Sequence, residues 1–132
     1  MKQIQRSTVK ALFQRESGEV MVAKSARDEF WELPGGKVEF GEQPQETLRR
    51  EVEEEFGVKD FEINDLLDMF SFRATDEVGE WSFVVSVFLC KLNSENLTIS
   101  DEHEKVAWIK PEDVRSYPMR EGYYKVIENL KI

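Results

Sequence analysis

The sequence has few of the features that mark secreted or membrane-spanning proteins. Its 132 residues include one cysteine, Cys90, and a single thiol cannot form an internal disulfide. The longest apolar stretch, residues 83–90, is far too short to cross a bilayer. The opening segment, MKQIQRSTVK, lacks the apolar core of a signal peptide. We therefore expect a cytoplasmic protein without a membrane partner.

Basic residues are also scarce relative to acidic ones. The chain has 18 Lys and Arg against 27 Asp and Glu, which gives a formal net charge of −9. A nucleic-acid polymer needs a cationic footprint, so we do not expect one as a partner. A small phosphate-bearing molecule remains compatible, since carboxylates recruit divalent metals and the metals hold phosphates. The length and the 40% hydrophobic content predict one domain, residues 1–132.

Hydrophobic patterning predicts strands interleaved with helices. We expect strands at residues 4–14, 20–23, 61–73, 81–92 and 106–109, with the first two forming a hairpin around a turn at 16–19. The nearly continuous apolar run at 81–92 suits a central strand covered on both faces. Helices are expected at 44–56, after Pro111, and at the C-terminus around Tyr123, Val126, Ile127 and Leu130. This order predicts an α/β or α+β sandwich.

The predicted helix at residues 44–56 carries carboxylates beside its apolar face. The apolar stripe is Leu48, Val52 and Phe56, and the carboxylate stripe is Glu51, Glu54 and Glu55. Like charges one turn apart repel by about 0.2–0.5 kcal/mol, and a position beside the core adds a desolvation cost. A divalent cation would remove that cost. An acidic surface helix, with Arg50 paired to Glu54, explains the same pattern.

The segment from residue 36 to residue 58 reads GKVEFGEQPQETLRREVEEEFGV and resembles the Nudix box. That motif is Gly, five residues, Glu, seven residues, then Arg-Glu-apolar-any-Glu-Glu-any-Gly-apolar. Its specified positions are filled by Gly36, Glu42, Arg50, Glu51, Val52, Glu54, Glu55, Gly57 and Val58. The resemblance implies an α/β/α sandwich around a mixed β-sheet. It also implies hydrolysis of a nucleoside diphosphate linked to another moiety.

A binding site for Mg²⁺ (or Mn²⁺) follows from the same resemblance. Carried over by position, Glu51, Glu54 and Glu55 would be metal ligands. Arg50 would orient a glutamate through an ion pair, and the backbone of Gly36 would approach the metal or a phosphate closely. The chemistry suits these residues, because attack of water on phosphorus needs charge neutralisation and a carboxylate can accept the proton of the water.

Glu102 is a further candidate for the catalytic and metal site outside the box. Many relatives carry a metal-binding or basic glutamate at this point, although a solvated acidic loop is an equally good interpretation. The general base is therefore either Glu51 or Glu102. The neighbouring His103 is expected to be an ordinary loop residue, because Mg²⁺ disfavours imidazole ligands.

The candidates for substrate binding flank the Pro-Gly-Gly turn. Trp31 and Phe30 either stack on a base, an interaction of about 1–3 kcal/mol, or pack in the core. Lys37 and Arg27 either meet a phosphate oxygen or are ordinary surface cations. Cys90 is expected to be a buried and inert thiol, since no base pattern accompanies it.

The leading interpretation is a MutT-like enzyme that converts a nucleoside triphosphate to a nucleoside monophosphate and pyrophosphate. A nucleotide sugar, ADP-ribose or a dinucleoside polyphosphate is an alternative substrate. A Nudix-fold sensor that binds nucleotide without cleaving it, and an acidic interaction protein without a small ligand, are alternatives of other classes. The complete set of box glutamates favours the enzyme. A homodimer is compatible, because dimers are common in the family.

Overall fold

The computed structural model describes residues 1–94 and 96–130. Along the chain these residues form β1 (Gln3–Phe13), β2 (Val20–Ser25), β3 (Trp31–Glu32), β4 (Gly35–Lys37), α1 (Pro44–Phe56), β5 (Phe61–Thr75), β6 (Glu80–Leu92), β7 (His103–Ile109), a 3-10 helix (Pro111–Ser116) and α2 (Glu121–Glu128). The helices and strands predicted from the sequence are present, with shifts of a few residues at their ends. The short strands β3 and β4 were not predicted.

The strands form two sheets. The larger sheet is mixed and has the order β4-β1-β6-β5, with β1 parallel to β6 and the other neighbours antiparallel. The smaller sheet has the order β3-β2-β7 and is antiparallel. The central position expected for β6 is confirmed, because β6 pairs with β1 along one edge and with β5 along the other.

The predicted hairpin between the first two strands is wrong. Across the turn at 16–19, the pairing between these segments is a single bridge between Gln14 and Val20. β1 already pairs with β4 on one edge and with β6 on the other, so no edge is left for β2. The chain therefore crosses to the smaller sheet, where β2 pairs with β3 and β7.

Two hydrophobic clusters place one helix on either side of the strands. Alternate residues of a strand point to opposite faces, so β1 sends Phe13 to one cluster and Leu12 to the other. The first cluster receives Leu48, Val52 and Phe56 of α1, and the second receives Tyr123, Val126 and Ile127 of α2. The expected α+β sandwich is thus confirmed. Neither helix within the described residues is long and apolar enough to cross a membrane.

The ends of α1 follow directly from its sequence. Pro44 occupies the first turn, where a missing N–H costs nothing. The Gln43 backbone N–H donates to Glu46 Oε1 at 2.9 Å, which satisfies one of the free donors at the start of the helix. At the other end Gly57 adopts a left-handed conformation with φ of 69°, and its N–H donates to the Glu53 carbonyl. The predicted bounds of this helix are confirmed.

The start of α2 lies directly against β5. A Cβ atom at Gly122 would come within 2.2 Å of the Phe70 ring, so only glycine permits this approach. The next residue, Tyr123, packs edge-to-face on the same ring with centroids 5.3 Å apart. Leu130 lies beyond the end of the helix, although it packs against the same cluster as α2.

Replacement of Gly122 by alanine is expected to destabilise the fold. The added methyl group would force the Phe70 ring or the start of α2 to move, and such overpacking costs about 1–3 kcal/mol. Urea denaturation measures the change in the free energy of unfolding. Lys125→Ala, on the exposed side of the same helix, is the control and should change it by less than about 0.5 kcal/mol. Equal stability of Gly122→Ala and the wild type would contradict the close packing.

Candidate active site

Three carboxylates from two parts of the chain converge at the centre of the site. Glu51 and Glu55 lie one turn apart on α1, and Glu102 lies in the turn before β7. Each offers one oxygen atom, and these three atoms lie within 4.8 Å of one another. The structure therefore brings together two of the box glutamates and the candidate from the C-terminal half.

Glu55 is the most constrained member of this carboxylate group. Glu55 is only 5% exposed, and its Oε1 accepts a hydrogen bond from the Gly35 backbone N–H at 3.0 Å. Burial raises the pKa of Glu55 to about 8, and the neighbouring Glu102 and Glu51 also raise it, while Lys10 and the Gly35 N–H act in the opposite direction. A bound cation would stabilise the charged form.

Glu51 is held against the backbone of β4. A Cβ atom at Gly36 would lie 2.4 Å from the Glu51 carboxyl carbon, so a side chain at this position would displace the carboxylate. The preceding Gly35 has φ of 141°, and a Cβ atom there would lie 2.0 Å from the Val9 carbonyl oxygen of β1. The two glycines thus let β4 fit between β1 and α1. The pKa of Glu51 is raised by burial, although the hydrogen bond from Arg50 opposes this.

Arg50 binds carboxylates both from the loop before α1 and from α1 itself. It donates two hydrogen bonds to Glu42, from Nε to Oε2 at 2.8 Å and from Nη2 to Oε1 at 2.9 Å. Its Nη1 donates to Glu51 Oε1 at 3.0 Å. The bidentate contact with Arg50 lowers the pKa of Glu42 to about 2, and Thr47 Oγ1 donates to the same carboxylate. This geometry suits the orienting role that the Nudix resemblance implies for Arg50.

Glu54 lies outside the group formed by Glu51, Glu55 and Glu102. Its side chain is 58% exposed, and its ion-pair partner is Arg50, with Nη1 and Oε2 3.4 Å apart. Glu54 follows Glu51 by three residues on α1, so both lie on neighbouring parts of the same helix face. Glu54 therefore makes the ion pair with Arg50 that an acidic surface helix predicts, and it also lies beside the carboxylate group.

A buried ion pair beside the carboxylate group was not found from the sequence. Lys10 Nζ donates to Glu32 Oε1 at 3.0 Å, and both residues line the same cleft as Glu55. Lys10 holds the pKa of Glu32 well below its usual range against the opposing effect of burial. The sequence signal for this pair was Lys10 among the apolar residues of β1, because lysine is almost never fully buried without a partner.

His103 differs from its expected place in a loop. It is the first residue of β7, it is buried, and its ring stacks on Phe56 with centroids 5.3 Å apart. Its Nε2 lies 3.8 Å from Glu32 Oε2, which is too long for a strong hydrogen bond. Pairing of β7 with β2, together with the Phe56 ring, accounts for the burial that the sequence did not indicate.

The carboxylate group opens into a cleft of about 1100 Å³. Five cationic residues line it despite the net negative charge of the chain: Arg6, Lys10, Arg27, Lys37 and Arg120. Aromatic residues also line it: Phe30, Trp31, Phe40, Phe72, Phe83 and Tyr123. Such a cleft has carboxylates for a cation, cations for phosphate oxygens and rings for a planar group.

The four predicted substrate-binding residues all line this cleft. Trp31 is largely buried, and its ring packs edge-to-face on Tyr117 with centroids 5.2 Å apart, so it belongs to the core as well as to the cleft wall. Phe30 is half-buried. Lys37 Nζ lies 4.9 Å from the centroid of the Trp81 ring, and Arg27 is exposed in the loop after β2. Cys90 is buried, and burial raises the pKa of its thiol to about 12, as expected for an inert residue.

The chemistry of the donor set fits a divalent metal. Mg²⁺ and Mn²⁺ prefer hard oxygen ligands, and the group of Glu51, Glu55 and Glu102 offers only carboxylate oxygens. The raised pKa of Glu55 shows that its charge is poorly compensated by the protein alone. A cation bound between the three oxygens would compensate it.

Comparison with known proteins identifies the family of the chain. A family model of the NUDIX domain matches residues 4–130. The nucleoside triphosphatase NudI of Klebsiella pneumoniae (strain 342) is 33% identical over an aligned length of 128 residues, and the match covers 87% of this chain and 89% of that protein. A MutT-like protein of Streptomyces ambofaciens is 33% identical over 109 residues, covering 83% of this chain and 66% of that protein.

Solved structures show the same architecture. The crystal structure of a MutT protein from Methanosarcina mazei Go1 matches with a TM-score of 0.81 at 23% identity, covering 97% of this chain and 94% of that chain. The family match and the nucleoside triphosphatase relative define an enzyme that hydrolyses phosphoanhydride bonds. The chain belongs to the Nudix family and is a MutT-like Nudix hydrolase.

The raised pKa of Glu55 predicts how the stability of the metal-free protein depends on pH. Between about 4.5, the usual pKa, and about 8, the folded protein binds a proton that the unfolded chain releases. The free energy of unfolding should therefore fall as pH rises through this window, with a slope of up to about 1.4 kcal/mol per pH unit. Urea denaturation in EDTA measures it.

Two variants separate the contribution of Glu55 from that of other carboxylates. Glu55→Gln keeps an acceptor for the Gly35 N–H but cannot titrate, so its stability should depend less on pH. Glu62→Gln, at an exposed position of β5, should behave like the wild type. An unchanged pH dependence in Glu55→Gln would show that Glu55 is not the titrating group.

Proposed function

We propose that this Nudix hydrolase converts a nucleoside triphosphate to a nucleoside monophosphate and pyrophosphate, with Mg²⁺ (or Mn²⁺) as cofactor. The observation that carries the proposal is the convergence of Glu51, Glu55 and Glu102 in a cleft with basic and aromatic walls. The similarity to nucleoside triphosphatase NudI, over most of both chains, supports a triphosphate as substrate. A cytoplasmic location, a single domain over residues 1–132 and a homodimer stay predictions from the sequence.

The residues that would hold the metal are those of the carboxylate group, Glu51, Glu55 and Glu102. Glu54 would join them by exchanging its 3.4 Å contact with Arg50 for the metal or a water bound to it. Gly36 would leave its backbone open to the metal or a phosphate, since it carries no side chain. When bound, the metal would neutralise phosphate charge and lower the pKa of a coordinated water.

The remaining roles belong to side chains around the cleft. Lys37 and Arg27 would pair with phosphate oxygens, because both are exposed cations that line it. Arg50 would keep Glu51 in place through its 3.0 Å hydrogen bond. Phe30 would stack on the base, and the largely buried Trp31 would form the wall behind it.

Either Glu51 or Glu102 would remove the proton of the attacking water. Glu51 already accepts a hydrogen bond from Arg50, which favours its charged form. Glu102 is exposed, so its carboxylate is free to approach a water in the cleft. Both lie in the carboxylate group, within reach of a common ligand.

A substrate panel tests the reaction. The protein is incubated with nucleoside triphosphates, a nucleotide sugar, ADP-ribose and a dinucleoside polyphosphate, each with Mg²⁺, with Mn²⁺ and with EDTA. We expect nucleoside monophosphate and pyrophosphate from triphosphates, and no turnover in EDTA. Preferred cleavage of another class would replace the triphosphate as substrate. Binding of nucleotides without turnover in either metal would identify a sensor instead.

Substitution of the carboxylates tests their roles. Glu55→Gln and Glu54→Gln are expected to lower kcat by several orders of magnitude while the melting temperature in EDTA stays within a few degrees. Glu51→Gln and Glu102→Gln should both weaken Mg²⁺ binding in calorimetry, and the variant that lacks the base should lose more kcat than the other at saturating Mg²⁺. Glu53→Gln, on the exposed face of α1, is the control and should keep full activity. Near-normal Mg²⁺-dependent turnover in Glu55→Gln would remove the assignment.

A further inference from the structure

Arg120, just before α2, lies against two aromatic rings of the cleft. Its guanidinium carbon is 4.3 Å from the centroid of the Phe72 ring and 4.8 Å from that of the Phe30 ring. All three residues are half-buried and line the cleft. Stacking of this kind restricts the orientation of the guanidinium plane and leaves the N–H groups at its edge available.

The hydrogen-bond donors of Arg120 have no partner in the part of the chain that the structure describes. Among residues 1–94 and 96–130, no carboxylate pairs with its guanidinium and no acceptor receives a hydrogen bond from it. Arg50 and Arg115, by contrast, are held in ion pairs, Arg50 with Glu42 and Glu51 and Arg115 with Glu121 and Glu128. Arg120 therefore presents an unused set of five donors to the cleft.

The position of Arg120 is set by rigid packing. Gly122 lets the start of α2 lie directly on Phe70, and Phe72 follows on the same face of β5. Phe72 is in turn stacked on Phe83 of β6, with ring centroids 5.1 Å apart. Because the ring beneath Arg120 is supported by two neighbouring strands, the donors are pre-organised for a ligand.

Arg120 is distant in sequence from Lys37 and Arg27, the cations proposed to pair with phosphate oxygens. Lys37 directly follows Gly36, which contacts Glu51, so Lys37 is the cation next to the expected phosphate position. Lys37 lies over the Trp81 and Phe83 rings, whereas Arg120 lies over Phe72 and over Phe30, the ring proposed to stack on the base. A guanidinium has donors only, so it favours an oxygen or an unprotonated ring nitrogen on the base and opposes an amino group.

We propose that Arg120 is a specificity-determining residue that donates hydrogen bonds to a carbonyl oxygen of the base, and that the enzyme therefore disfavours adenine nucleotides. Adenine is the standard base without a ring carbonyl group, and it presents an amino group where guanine has an oxygen. This inference rests on the proposed function, because it names the class of base that the triphosphate carries. Phe72, which has Arg120 over its ring and Phe83 stacked on it, would hold the guanidinium while Arg120 reads the edge of the base.

A matched pair of substrates tests this role. ITP and ATP differ at purine position 6, which is a carbonyl in ITP and an amino group in ATP, and at the proton on N1. We expect kcat/KM of the wild type to be about tenfold to a hundredfold higher for ITP. Arg120→Met should bring the ratio close to one, mainly by lowering the value for ITP. Arg120→Lys, which keeps the charge but loses the planar fork, should give an intermediate ratio.

Arg49→Met provides the control for loss of a stacked arginine. Arg49 lies over the Phe61 ring at 4.8 Å, outside the residues that line the cleft, so its ITP-to-ATP ratio should equal that of the wild type. Equal use of ATP and ITP by the wild type would overturn the proposal. So would an Arg120→Met variant that loses ITP and ATP activity by the same factor, because that result assigns Arg120 to the phosphates.

Binding of the monophosphates separates this inference from the proposed function. Calorimetry with IMP and AMP needs no turnover, and IMP should bind the wild type more tightly while Arg120→Met should not discriminate. That result would support the role of Arg120 even if no triphosphate were hydrolysed. Absence of hydrolysis would contradict the proposed function but not the role of Arg120. Equal affinity for IMP and AMP in the wild type would overturn the inference alone. Should Arg120→Met not fold, the wild-type ratios and Arg120→Lys decide.

Discussion

The site depends on an electrostatic conflict between Glu55 and its neighbours. The Glu55 carboxylate is buried, yet it lies close to the carboxylates of Glu51 and Glu102. Among the described residues, the positive charge of Lys10 and the hydrogen bond from the Gly35 N–H favour its charged form. A fold that served stability alone would not keep three acidic groups here, since each uncompensated charge beside the core costs free energy. A cation bound at the proposed metal site would resolve the conflict.

Glycine makes this arrangement sterically feasible. α1 presents Glu51 and Glu55 on one face, but the carboxylates reach the cleft because β4 passes between α1 and β1 without side chains in the way. Gly36 leaves room for the Glu51 carboxylate, and Gly35 leaves room for the Val9 carbonyl. The backbone of β4 then supplies the hydrogen bond that orients Glu55. The proposed metal site, the pairing of β4 with β1 and the packing of α1 are therefore one structural unit.

The sequence predicted the parts of this unit that follow from local periodicity. The bounds of α1 and its left-handed cap at Gly57 are confirmed, because proline, the 3.6-residue apolar repeat and glycine each act locally. Glu102 lies outside the Nudix box, and it could be named as a candidate beside Glu51 only because many relatives carry a glutamate at this point. The hairpin prediction failed because strand pairing depends on which edges distant strands occupy, and no local pattern records that.

Cleft residues contributed by several elements were harder to predict. Lys10 and Glu32 are far apart in sequence, and their ion pair exists only because β1 and β3 both border the cleft. Arg120 gave no sequence signal at all, since its contacts with Phe30 and Phe72 join three separate segments.

The parallel pairing of β1 with β6 joins segments that are far apart in the sequence, and this has a consequence for folding during synthesis. β1 meets its partner only after Glu80–Leu92 has left the ribosome, so a nascent chain must keep its first strand unpaired on that edge through more than half of its synthesis.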